Sequence, residues 1–249
     1  MQTRTVSGNQ LGRGKLVELQ PLQVGFAQDL PDIPVLPKTL LLLELMVQES
    51  CVDLREFSQL VLTDLGAALQ ILRLAGRVYG NTEDRPTRMV DCIADLGLDA
   101  CLQAVSAQSL VRDKRLDAIV QLWDHSREIA QHCKYVADLM LKVNPEEAYL
   151  TGLLHAIGLL PDLLEWKDCG TIGSALVGLR FAKRWFLPPC VTEFYREIHF
   201  AGYPALWLAI VQEAHQRASR SSIECTFDHV LGPHLVRNGY EQRNSVNCR

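Results

Sequence analysis

From about residue 40 onward, apolar residues recur at three- and four-residue spacing with polar residues between them, the pattern of amphipathic helices. Leu40, Leu43, Met46 and Val47 share one such face, and Leu54, Phe57, Leu60 and Val61 share the next. Ahead of the second face, Asp53-Leu54-Arg55-Glu56 has the form of a capping motif. Asp53 can accept early backbone N–H groups, and Glu56 stands at the third helical position. Asp64-Leu65-Gly66 interrupts the pattern; a third helix follows through Leu69, Leu72, Leu74 and Ala75 and stops at Gly80-Asn81. Pro86 is expected to open a fourth helix that Gly97 ends, and a fifth runs from Leu98 to about Val111.

Residues 116–142 form a long amphipathic stretch without glycine or proline. Asn144-Pro145-Glu146-Glu147 then supplies a cap residue, a first-turn proline and two acids that favour a helix start. This helix is expected to carry His155 and to stop at Gly158. Further helices are predicted over roughly 171–185, 189–198, 204–217 and 223–236. No alternating strand pattern of any length occurs, so the fold class is all-α, a multi-helix bundle.

The flanks differ from this core. Residues 1–28 read as a weakly ordered lead-in, although Lys15–Leu19 could form a short strand. Three prolines between Pro31 and Pro37 then force an extended path. The last segment, 223–249, reads as one helix and a polar tail.

Composition changes this picture little. Hydrophobic residues make up 48% and charged residues 22% of the 249 residues, the balance of a chain with a sizeable core. A net charge of −4 and no Lys/Arg run longer than a pair argue against nucleic acid as a partner. The greasiest run, Leu40–Leu43, is cut by Glu44, far short of the roughly 20 apolar residues that span a bilayer. The first ten residues lack the apolar stretch of a signal peptide. The eight cysteines include no Cys-x-x-Cys pair and read as reduced, mostly buried thiols of a cytoplasmic protein.

One stretch carries a more specific message. Gly152-Leu153-Leu154-His155-Ala156-Ile157-Gly158 resembles the Gly-Leu-Leu-His-Asp-Ile-Gly motif of HD-type helical proteins, with alanine in place of aspartate. Other segments extend the likeness in order. They are Leu30-Pro31-Asp32-Ile33-Pro34, Val61–Ala75 with Tyr79-Gly80, Ile93–Leu98, Leu122-Trp123-Asp124-His125-Ser126 and Trp185-Phe186-Leu187-Pro188. Together they are similar to the HDOD family, HD-related output domains of bacterial signalling proteins. The likeness covers residues 30–222 and implies two packed helical subdomains, about 30–112 and 113–222.

In active HD enzymes, histidines and aspartates hold divalent cations, and the resemblance places His125 and His155 at two ligand positions. Ala156 stands where the metal-binding aspartate would be, and a methyl group cannot ligate a hard cation. The next histidine position falls near Ser174, the histidine pair on His199 and Phe200, and the last aspartate near His215; Leu159 replaces a frequent lysine. His125 and His132 lie about 10.5 Å apart along one helix, too far for one ion. His125, His155 and His199 belong to three helices and can converge.

The vestigial pocket is thus expected to comprise His125, His155, Ala156, Ser174, His199 and His215, with no bound metal, no cofactor and no catalytic residue. Asp162, Glu165, Asp168 and Glu197 are nearby in sequence, but no spacing selects any of them as a substitute carboxylate. The reading that follows is a non-catalytic, cytoplasmic bacterial output module acting on a protein partner or a small ligand such as a nucleotide second messenger. A degenerate metal-dependent phosphohydrolase and a nucleotide sensor without turnover are the alternatives. With no room for a receiver, cyclase or phosphodiesterase domain, the input is expected in trans, through a small ligand or through the short N-terminal segment.

Overall fold

The computed structural model describes residues 33–49, 51–80, 82, 85–107, 116–166, 173–200 and 205–221. The chain divides into Met1–Pro31 and Asp32–Arg249, and every described element belongs to the second unit. The expectations for the lead-in, the 15–19 strand and the 223–236 helix lie outside the described residues.

Among the described residues the fold is all-α. The elements are α1 (Pro37–Val47), α2 (Leu54–Leu62), α3 (Leu65–Tyr79), α4 (Met89–Leu96), α5 (Leu98–Ser106), α6 (Leu116–Asp138), α7 (Pro145–Leu154), a 3₁₀ turn (Ile157–Leu159), α8 (Leu160–Leu163), α9 (Ser174–Arg184), α10 (Pro189–His199) and α11 (Leu206–Ser221). No β-strand occurs among the described residues, and no described helix is long and apolar enough to cross a membrane. Helices α1–α5 pack mainly on one another, as do α6–α11, and α3 meets α6 where the two groups join.

The junction is organised by Asp64. It is the N-cap of α3, and its Oδ1 accepts from Ala67 N at 3.1 Å. The same oxygen accepts from Trp123 Nε1 of α6 at 2.8 Å, while Oδ2 accepts from Leu36 N at 2.8 Å. One carboxylate therefore fixes the approach segment to α1, the start of α3 and the face of α6. Gly66 follows from the same contact, because a Cβ there would stand 2.1 Å from the Pro34 carbonyl oxygen. The Asp64-Leu65-Gly66 interruption is thus a cap and a close backbone crossing.

Several boundaries differ from the sequence expectation: α5 ends at Ser106 rather than about Val111, α6 at Asp138 rather than 142, and α11 spans Leu206–Ser221 rather than about 204–217. Helix α4 starts at Met89, three residues after Pro86, because Arg88 remains extended at φ −89° and ψ 139°. Helix α7 ends at Leu154 rather than Gly158: His155 is its C-cap, and the chain tightens into the 3₁₀ turn. The caps at Asp53 and Asn144 form as expected, accepting from Arg55 N at 2.7 Å and Glu146 N at 2.9 Å. Cys92, Cys101, Cys133 and Cys190 are buried free thiols, and Cys51 is an exposed one.

Candidate functional site

The short connection after α6 makes α7 its antiparallel neighbour, and a glycine sets how closely they pack. A Cβ on Gly152 would lie 2.7 Å from Ala130 Cα and 2.8 Å from Cys133 Sγ, so only glycine permits this crossing. Three residues beyond Gly152, about 4.5 Å along the axis, stands His155, the C-cap of α7. In the antiparallel sense that step leads back along α6 from Ala130 toward His125. The glycine of the Gly152–Gly158 stretch therefore places one imidazole over the other. Their ring centroids are 5.2 Å apart.

The third member is His215 of α11. Its ring centroid lies 5.2 Å from that of His125 and 5.0 Å from that of His155. One potential ligand nitrogen from each of the three lies within 4.8 Å of the others. His125 and His155 are buried and His215 is partly buried. His155 Nδ1 lies 2.6 Å from the Gly152 carbonyl oxygen. A carbonyl can only accept, so Nδ1 carries the proton and Nε2 keeps its lone pair. That Nε2 is buried and has no hydrogen-bond partner among the described residues. Burial first, then neighbouring His215 and His125, hold the His155 imidazole well below its usual pKa, so it is neutral.

The turn that presents His155 is held from the other side by Tyr195. Its hydroxyl lies 2.9 Å from the Leu154 carbonyl oxygen and 2.7 Å from that of His155, occupying acceptors left over at the end of α7. The ring fits only because residue 178 is glycine: a Cβ there would sit 2.1 Å from Tyr195 Cε1. Gly158 works similarly, since a Cβ would meet the Ser174 carbonyl oxygen at 2.0 Å. Helix α11 is positioned by Glu197, whose carboxylate accepts from Leu208 N at 2.6 Å in its first turn. Glu197 thus serves as a cap for α11 and is not part of the three-histidine group.

The expected pocket is accordingly rearranged. His125, His155 and His215 come together. His199 does not join them: it ends α10, is exposed and lies against Phe200, with ring centroids 4.7 Å apart. The convergence expected of His125, His155 and His199 is therefore corrected to His215 in the third place. Ala156 is buried beside the group without a donor, and half-buried Ser174 meets the motif through its backbone against Gly158. Tyr195 was not selected from the sequence, where it reads as one more aromatic on an amphipathic helix.

Among the described residues no carboxylate belongs to the three-histidine group. The group does not fit the aspartate-containing centre of active HD enzymes, in which a carboxylate helps to hold the cations. A separate cleft of about 550 Å³ lies between α2, α4, α6 and α7, with Arg55, Arg88 and Lys134 on its walls. Arg88 is engaged there by Glu146 at 2.5 Å and 3.1 Å.

Comparison with known proteins agrees with the architecture. The chain is similar in fold to the MmoQ response regulator from Methylococcus capsulatus str. Bath, with a TM-score of 0.61, 18% identity and coverage of 83% of this chain and 97% of that one. It is also similar to a virulence factor from Campylobacter jejuni subsp. jejuni, with a TM-score of 0.50, 17% identity and coverage of 87% and 94%. No curated protein matches. The HDOD domain family matches residues 33–168, from the residue before Pro34 through His125 and His155 but short of His215. More than half of the sequence lies within that match, and the chain belongs to the HDOD domain family.

Proposed function

We propose that the chain is a non-catalytic output module of a bacterial cytoplasmic signalling pathway, acting by binding a protein partner or a small ligand. One observation carries this reading: Ala156 is buried where an HD enzyme has its aspartate, and among the described residues the neighbouring group consists of imidazoles alone. Metal-assisted phosphoester hydrolysis needs a carboxylate to hold or bridge ions and a base for the attacking water. The likeness in fold to the MmoQ response regulator supports a place in signal transduction.

The test is turnover. The purified chain, supplied in turn with manganese, iron and zinc, should not hydrolyse phosphomonoesters or phosphodiesters above a protein-free blank. Ala156→Asp alone should not confer activity, because the other positions also differ. Metal-dependent hydrolysis that disappears in His155→Ala would overturn the reading. Arg55 and Lys134 on the walls of the 550 Å³ cleft, beside the Arg88–Glu146 pair, favour an anionic small ligand as the alternative to a protein partner. A cyclic dinucleotide that binds there should raise the melting temperature by mass action, and Lys134→Ala should remove the rise.

A further inference from the structure

We infer that His125, His155 and His215 hold one divalent ion of the zinc, cobalt or nickel type through imidazole nitrogens alone, in place of the aspartate-containing centre of active HD enzymes. Three observations carry it. Potential ligand nitrogens from α6, the end of α7 and α11 lie within 4.8 Å of one another. A tetrahedral ion with bonds of about 2.1 Å would set them about 3.4 Å apart, so binding requires the rings to close by about 1.4 Å or less. His155 is already committed to the ligating tautomer, because Nδ1–H donates to the Gly152 carbonyl and leaves Nε2 buried with its lone pair. A backbone carbonyl behind a ligand imidazole is also what orients such ligands at known metal sites.

The donor set selects the ion. Imidazole suits zinc, copper, nickel and cobalt, whereas magnesium, calcium and manganese prefer oxygen donors. Here the hard donor has been lost at Ala156, and an imidazole, His215, stands near the position of another expected aspartate. The change is thus in the kind of ion held. Water can complete the coordination, since His215 is only partly buried. The ion would also tie α11, which carries no part of the matched HDOD span, to α6 and α7.

The full chain, stripped with a chelator and dialysed, is titrated with zinc and with cobalt(II). One equivalent of each should bind, with a higher melting temperature, the visible bands of four- or five-coordinate cobalt and no thiolate-to-cobalt charge-transfer band. Magnesium at the same concentration should give no response. His155→Ala and His215→Gln should each weaken binding by at least about 100-fold, beyond the loss typical of disturbing a ligand's supporting partner. His199→Ala and Cys51→Ser should leave it unchanged. Absence of zinc and cobalt binding by the wild-type chain would overturn the inference, as would a thiolate band or undiminished binding in both ligand variants. Should the ligand variants fail to fold, the wild-type cobalt spectrum decides alone. Binding without hydrolysis leaves the output-module reading intact. Binding with hydrolysis overturns that reading and leaves this one, and no binding does the reverse.

Discussion

Trp123 and His125 are two residues apart on α6, about 200° around its axis, and each serves a different buried polar centre. Trp123 turns to Asp64, whose two oxygens accept from Leu36 N, Ala67 N and Trp123 Nε1. His125 turns to His155 and His215, where Nε2 of His155 has no hydrogen-bond partner among the described residues. The first centre has both oxygens satisfied by the chain itself and works as architecture. The second leaves a buried acceptor available, the condition of a place where something else belongs. The same helix therefore separates a group satisfied within the fold from the group proposed to hold an ion.

Removing Asp64 is the strongest way to break this comparison. Asp64→Ala deletes the α3 cap and strands Trp123 Nε1 and Leu36 N in partly or fully buried positions. A lost cap costs about 1 kcal/mol and each stranded donor about 1–3 kcal/mol, giving about 3–7 kcal/mol together. Urea denaturation should show that loss as a lower midpoint at unchanged slope. A loss under about 1 kcal/mol would mean that the junction does not depend on this carboxylate.

Acid should separate the two centres next. Burial pushes the Asp64 carboxyl up, with the hydrogen bonds from Leu36, Ala67 and Trp123 opposing it, whereas burial and two neighbouring imidazoles push His155 down. The signs on stability are opposite. The unfolded chain takes up a proton at His155 below about pH 6.5 that the folded chain refuses, so this contribution is full above that pH. It is lost as pH falls toward the folded pKa, at up to about 1.4 kcal/mol per pH unit. Asp64 instead keeps its proton to higher pH when folded and favours the folded state on acidification. In the metal-free chain, unfolding free energy measured between pH 7 and pH 5 should fall, and His155→Gln should flatten that fall. An equal slope in both proteins would remove His155 from the account.

Tyr195→Phe asks whether the histidine centre has a frame as well as ligands. The ring still fills the notch at Gly178, but the hydroxyl no longer meets the Leu154 and His155 carbonyls. The expected cost is about 1–2 kcal/mol, read by thermal unfolding. If the metal inference holds, zinc affinity should drop as well, because the turn carrying His155 loses its tether. Lower stability with unchanged zinc affinity would confine Tyr195 to packing.

The sequence revealed the parts of this comparison unevenly. Helix periodicity and caps are local properties, so α6 and the Asp53 and Asn144 caps could be read directly. His125 and His155 were visible because their motifs survive, and Ala156 because a carboxylate is missing from a known pattern. Asp64 was visible only as an interruption, since the partners that make it a junction, Leu36 and Trp123, lie 28 and 59 residues away. Tyr195 was illegible: no local pattern relates residue 195 to a notch at 178 and two carbonyls at 154 and 155. The choice between His199 and His215 was likewise set by tertiary structure, through the Glu197 cap that starts α11 beside α10.

That choice supplies the smallest effect and the sharpest control. His199 occupies the position that motif alignment favours, yet it lies exposed at the end of α10 against Phe200. His215 has weaker support from alignment and sits within the cluster. His199→Ala removes a surface ring from a helix terminus and should change stability by no more than about 0.5 kcal/mol. It should leave both the acid sensitivity and the zinc affinity of the chain unaltered. A loss of zinc binding in His199→Ala comparable to that in His215→Gln would restore the arrangement expected from the motif and displace His215 from the centre. Retained binding would instead tie the centre to α11, a helix beyond the HDOD match at 33–168, and make it a property of this chain's own packing.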